Sequence, residues 1–322
     1  MRYLRDLQVI SLLISSTVFT PLLGQSNPHE KLAAAYTLQE AGHAEEGANE
    51  ARRLIDSGAL NASDNGRAWI LMGLCREDEG RYSEAQHAYE IAISTLRPDR
   101  QAARDYASAL DDLGHLFRTT GRFEEAVEMR KNAILVFQQM RDRTGLARAY
   151  FNMASLDLDR KKMGECKKHI AMALDEIAHG GNLDEDDLAA GFSIRAQLAL
   201  QQQEFKVAVD DYEKALALWT NAHGKNHPAT GWGHVLLGWA DEETGRSAEA
   251  QTEAQEGMAI LERTVGTQNP TYLHAEVVYA NLLDRAGDRA RATEIRTAAN
   301  EALLELSRRQ CAGCMVSAMS LR

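Results

Sequence analysis

Proline and basic charge are both in short supply in this sequence, and so are long apolar runs beyond Leu23. Only 5 prolines occur in 322 residues. The ring removes a backbone donor and breaks helix interiors, so its scarcity leaves room for many uninterrupted helices. Lys and Arg number 36 against 47 Asp and Glu, a formal net charge of -11, and aromatic residues make up 6%. Nucleic-acid binding needs a basic face, so that class of partner is excluded. The mean hydropathy of -0.39 is that of a soluble chain, and no membrane insertion is expected beyond the N-terminal segment.

Catalytic motifs are missing as well. Glycines stand singly, so no phosphate-binding loop exists, and there is no G-x-S-x-G and no H-E-x-x-H. Asp111-Asp112 and Asp210-Asp211 are adjacent pairs. On a helix, neighbours project about 100° apart, which is poor geometry for shared acid–base work. The sequence therefore predicts no enzyme, no cofactor and no metal site. Asp184-Glu185-Asp186-Asp187 forms an acidic knot, and Arg285, Arg289, Arg291, Arg296, Arg308 and Arg309 make the end more basic. Both read as solvated surface.

The cysteines and histidines give little more. Cys166 and His169 are three apart on one helix, the spacing of a metal pair, but Cys166 occupies a small packing position and reads as core, as does Cys75. His223 and His227 flank a connector without a third ligand. Cys311-Ala312-Gly313-Cys314 is the sharpest local motif. In an exported chain it reads as a local disulfide between Cys311 and Cys314; the alternative is a redox or metal site.

Residues 1–24 read as an export signal: Arg2 and Arg5 precede an apolar run from Leu7 to Leu23, and Gly24 offers a small residue for cleavage. The alternative is an uncleaved membrane anchor over residues 7–24. The expected location is accordingly periplasmic or secreted, or else membrane-anchored.

What the sequence does have is a repeat. Trp69, Met72, Gly73 and Arg76, followed by Ala85 and Tyr89, resemble the tetratricopeptide pattern W-x2-L-G-x2-Y then A-x3-F. Gly80-Arg81-Tyr82 supplies the turn between the two helices. The motif recurs from Pro28, Gly66, Ala107, Ala147, Ala189, Gly231 and Leu273. A small residue holds the close-packing slot of every first helix: Ala35, Gly73, Gly114, Ala154, Ala196, Gly238 and Ala280. A second small slot holds Gly47, Ala85, Ala126, Cys166, Ala208, Ala250 and Ala292. Lys161-Lys162-Met163 and Gln203-Glu204-Phe205 lack the turn glycine, so strained or differently formed turns are expected there. The expectation is an all-α solenoid of about seven helix hairpins over 25–306, with pairs near 31–56, 66–96, 107–141, 147–178, 189–222, 231–265 and 273–306. The segment 307–322 reads as a tail.

The later copies have a 42-residue period. Ala222-His223-Gly224-Lys225-Asn226-His227-Pro228 recurs as Thr264-Val265-Gly266-Thr267-Gln268-Asn269-Pro270. This longer unit resembles the kinesin light chain type of repeat, which exported bacterial proteins also carry. The resemblance implies a right-handed superhelix binding a protein or peptide partner on its concave face, lined by the first helix of each pair. Kinesin light chain repeats carry paired asparagines on that face. Here the slots hold Asp111-Asp112, Phe151-Asn152, Ser193-Ile194, Val235-Leu236 and Val277-Val278, and of the asparagines only Asn152 is kept. In the sixth repeat, Trp232, Val235, Trp239 and Glu242 fall on one stripe at steps of three and four. With Gln197, His274, Asn281 and Asn152 beside them, they form the expected partner-binding set. The competing reading is that both indoles pack in the core.

Overall fold

The computed structural model describes residues 27–97 and 101–310. Among them are fourteen α-helices and no strand. They are α1(Pro28–Glu40), α2(Ala44–Asp56), α3(Ala62–Asp78), α4(Tyr82–Leu96), α5(Ala103–Thr119), α6(Phe123–Met140), α7(Arg143–Asp159), α8(Met163–Ala178), α9(Glu185–Gln201), α10(Phe205–His223), α11(Pro228–Glu243), α12(Ser247–Val265), α13(Pro270–Arg285) and α14(Arg289–Gln310). The signal segment and both cysteines of the C-x-x-C motif lie outside the described residues. The last helix reaches Gln310, four residues into the expected tail.

The first helices of the later hairpins begin three or four residues earlier than the repeat phase suggests. Their caps explain this. Asn61 accepts from the Asp64 N–H, Asp142 from Gly145, and Asp184 from Asp187. Asn269 accepts from Thr271, ahead of a proline at the helix start. Each cap oxygen satisfies a backbone donor that the helix itself leaves unpaired.

Each hairpin closes on its small residues. Ala35, Ala154, Ala196 and Ala280 are fully buried, as are Ala85, Ala126, Cys166, Ala208, Ala250 and Ala292. At Gly73 the reason is direct, because a Cβ there would lie 2.4 Å from the Tyr89 ring. Turn glycines such as Gly80, at φ 71°, adopt the left-handed conformation. Where glycine is missing, the chain keeps that conformation anyway: Lys161 stands at φ 57° and Gln203 at φ 61°. These are the strained turns expected from the two departures, and a non-glycine residue in that region costs about 1–2 kcal/mol.

Successive helices pack in chain order, and first helices also pack on the next first helix: α1 on α3, α3 on α5, α5 on α7, α7 on α9 and α11 on α13. Between α9 and α11 this series of close contacts is interrupted. There Phe192 and Trp232 pack around buried Ala189, Ala215 and Trp219, and aromatic bulk fills the space that small residues close elsewhere.

Candidate functional site: the wall of first helices

The first helices α1, α3, α5, α7 and α9 line one cavity of about 690 Å³. Its apolar contribution is modest: Leu32, Tyr36, Ile70 and Leu74. Its charged lining is lopsided. Glu40, Asp105, Asp111, Asp112 and Asp187 face two arginines, Arg67 and Arg148, with His29 at the edge.

These side chains are tied across neighbouring hairpins. Arg67 lies 3.4 Å from Asp105, and Arg148 donates to Ser108 at 3.2 Å while standing 3.8 Å from Asp187. Asn152 donates to Asp111, and Arg118 donates to Asp159 at 2.7 Å. Tyr36 donates its hydroxyl to the Arg67 carbonyl at 2.9 Å. Each link joins residues about one repeat apart, so the polar wall exists only once the hairpins are stacked.

The Asp112 carboxyl has no hydrogen-bond or ion-pair partner among the described residues. Burial, then repulsion from Asp111, pushes its carboxyl up to about 7 against the pull of Arg148 and Arg130. Burial likewise lifts Asp187 to about 6. Further along the wall, burial raises Glu77 to about 8, although it accepts a hydrogen bond from the Tyr89 hydroxyl. Beneath α5, the buried Arg130 side chain runs under Gly114, where a Cβ would meet its Cγ at 2.9 Å, and its Nε stands 3.9 Å from Asp111. All these carboxyls share one physical situation: poorly hydrated negative charge with too few cations beside it.

The partner-binding residues expected from sequence are dispersed. Asn152 lies in the cavity wall. Gln197, His274 and Asn281 are half-buried on α9 and α13, and Asn281 accepts from Arg296 at 2.9 Å. Val235 requires a correction: it is fully buried, packed with Leu261, Ala275 and Val278, so it cannot touch a partner. The indoles of Trp232 and Trp239 are half-buried rather than exposed, and both pack against that cluster and against the neighbouring one around Leu236 and Leu237. The indoles thus follow the competing reading, packing onto apolar clusters of neighbouring helices. Glu242 accepts from the Ser247 hydroxyl at 3.1 Å at the hairpin turn.

Sequence reasoning passed over Asp112, Asp187, Arg67 and Arg148. A signal was present: Asp111-Asp112 fill the paired-asparagine slots, which face the groove. Cys75 and Cys166 are fully buried, with thiols pushed up to about 12 by burial, as expected of packing cysteines. No cluster of three metal-ligating side chains occurs among the described residues. His169 pairs instead with Asp157 at 2.6 Å. No helix among the described residues is long and apolar enough to cross a membrane.

Comparison with known proteins agrees with this geometry. A family model described as tetratricopeptide repeat matches residues 187–263. Protein KINESIN LIGHT CHAIN-RELATED 2 of Arabidopsis thaliana is 26% identical over 165 residues, 50% of this chain and 25% of the relative. The chain resembles tetratricopeptide-repeat proteins of the kinesin-light-chain-like kind. It spans about a quarter of the length of that curated relative. Among solved structures, BtubC (BKLC) from P. vanneervenii matches at a TM-score of 0.50 and 19% identity, over 74% of this chain and 92% of that one. The apo form of RapI matches at 0.63 and 10%, over 87% and 99%. NprR in complex with its cognate peptide NprX matches at 0.62 and 11%, over 88% and 82%. These likenesses show the fold.

Proposed function

We propose that this tetratricopeptide-repeat protein is a non-catalytic scaffold that holds an extended, positively charged peptide segment against α1, α3, α5, α7 and α9. The observation that carries the reading is the cavity of about 690 Å³, in which five carboxylates face two arginines and Asp112 is unpaired. A Lys or Arg side chain entering there relieves the repulsion that raises Asp112 and Asp187, while Leu32, Ile70 and Leu74 take an apolar neighbour. An acidic segment would meet like charge in a poorly hydrated groove, a juxtaposition that costs several kcal/mol. The solved complex of NprR with its peptide supports the general mode, since it shares the fold.

Fluorescence anisotropy of the full chain with labelled peptides of matched length, alternating Leu with Lys or with Glu, tests the charge preference. The basic peptide should bind, more weakly at high salt, and Asp112→Asn should weaken it roughly tenfold. Equal or tighter binding of the acidic peptide would overturn the reading.

The same proposal places the scaffold in an extracytoplasmic compartment, supported by the Arg-flanked apolar run of residues 1–24. Intact-mass measurement of the protein from extracytoplasmic and cytosolic fractions tests this. A chain shortened by those residues is expected outside the cytosol, and full-length protein confined to the cytosol would refute it.

A further inference from the structure

Two carboxyls of the cavity depend on one loosely held cation. Arg148 projects from α7, which packs between α5 and α9. Its Nη2 donates to the Ser108 hydroxyl of α5 at 3.2 Å, and its Nη1 stands 3.8 Å from Asp187 of α9. Its charge also draws on Asp112 of α5.

None of these ties is tight. The Asp187 separation exceeds hydrogen-bond distance, and the Ser108 hydroxyl is a neutral acceptor. Paired guanidiniums elsewhere sit closer: Arg118 reaches Asp159 at 2.7 Å, and Arg195 reaches Asp211 at 2.6 Å through two nitrogens. The Arg148 side chain is 36% exposed, so it keeps a path to water.

The looseness follows from position. Arg148 and Asn152 lie one turn apart on the groove side of α7. Asn152 takes Asp111. Asp112, the next residue, points elsewhere around α5. Placed between carboxyls on the helices either side of its own, the Arg148 guanidinium forms a close pair with neither.

We propose that Arg148 is a tethered stand-in for the ligand's cation: it holds the place between Asp112 and Asp187 in the free protein, and the Lys or Arg of a bound segment displaces it into solvent. This rests on the basic ligand proposed above and names the residue that limits its affinity. A ligand cation and Arg148 repel each other in a poorly hydrated groove. Arg148 yields because one neutral hydrogen bond holds it and its side chain already reaches water. Arg67, the other arginine of the cavity, is held from two sides, by Asp105 at 3.4 Å and Asp64 at 3.8 Å. The affinity for a basic segment is therefore the attraction of the carboxyls less the work of moving Arg148. Removing the guanidinium removes that work and keeps the carboxyls. A neutral segment gains nothing from the change.

Fluorescence anisotropy of the full chain at low salt, with the alternating Leu-Lys peptide and a matched Leu-Gln peptide, tests this. Arg148→Gln should bind Leu-Lys roughly tenfold more tightly than the parent, with Leu-Gln affinity unchanged within about twofold. Arg148→Met, which keeps the apolar stem, should show the same gain. Arg148→Lys keeps a tethered cation and should behave as the parent does. The gain should shrink at high salt, and again in an Asp112→Asn background. Melting curves establish that each variant is folded. Weaker Leu-Lys binding by folded Arg148→Gln or Arg148→Met would make Arg148 an anchor and overturn the proposal, while the groove would still stand as a basic-peptide site. An equal gain for both peptides would trace the effect to freed space rather than charge and would also overturn it. No Leu-Lys binding by either the parent or the variants would overturn the groove reading and this proposal together.

Discussion

The hairpins α1–α8 and the hairpins α11–α14 are built to one plan but join their first helices differently. In the N-terminal set, neighbours are bridged by polar groups: Arg67 to Asp105, Asn152 to Asp111, Arg118 to Asp159. In the C-terminal set one ion pair, Arg285 with Glu243 at 3.1 Å, stands beside apolar bulk, with Val235, Val278, Trp239 and Tyr272 packed between the helices. A polar bridge needs only a few atoms and leaves room beside it, and the cavity lies there. Indole and aliphatic packing closes the space. The repeat thus supplies geometry, while the residues on the inward stripe decide whether a stretch of solenoid presents a groove or a filled seam.

The two sets also tolerate bulk differently. At Gly257 an added Cβ would lie 2.5 Å from the Gly231 carbonyl oxygen, a backbone atom, whereas at Gly114 it meets the Arg130 side chain at 2.9 Å. Gly257→Leu should therefore cost about 3 kcal/mol or more, and Gly114→Leu about 1–3 kcal/mol, as overpacking typically does. Urea denaturation of both variants checks the order, and equal losses would remove this contrast between the halves.

Trp232→Ala comes next. The indole wedges between clusters on α9, α10, α11 and α13, so its loss should destabilise by about 2 kcal/mol, less than for a fully buried tryptophan. Capture of a basic peptide should be little changed. An unchanged melting temperature with lost capture would move the binding face to the C-terminal set.

Glu77 gives a pH-dependent contrast. Its folded carboxyl titrates near pH 8, well above the usual glutamate range near 4.3. The folded state thus holds the proton more tightly than the unfolded chain. Its contribution is complete below the unfolded value and is lost as pH rises through about 8. Glu77→Gln keeps an acceptor for Tyr89, removes the titration, and should be more stable than the parent by about 1–3 kcal/mol at pH 9. Melting curves across this range test it, and parallel curves for the two proteins would contradict it.

Much of this fold was legible because close packing demands small residues at a fixed phase. Ala35 through Ala280 and Gly47 through Ala292 marked the two contact slots, and the turn departures at Lys161 and Gln203 marked the strained bends. Relieving that strain should have the smallest effect. Lys161→Gly and Gln203→Gly should each raise stability by up to about 1 kcal/mol, read from the denaturation midpoint, because glycine's added freedom in the unfolded chain offsets part of the relief. No gain in either variant would remove strain from the account of those turns.

The site was less legible, for a physical reason. Arg67 with Asp105, and Asn152 with Asp111, meet across about one repeat of chain, and only stacking brings them together. Read alone, Asp111-Asp112 is a pair of adjacent acids pointing apart. Read in the slots that face the groove, the same pair is the floor of a cavity. The Trp232–Trp239 stripe erred in the opposite direction. Its periodicity was correct, but periodicity cannot tell a face turned to solvent from one turned to a neighbouring aromatic cluster.

Hydrogen–deuterium exchange on the full chain, with and without a saturating basic Leu-Lys peptide, tests the central claim most directly. Added protection is expected in α3, α5 and α7, around Ile70, Asp112 and Asn152, with α11 and α13 unchanged. Protection confined to α11 and α13, around Trp239 and His274, would contradict the account.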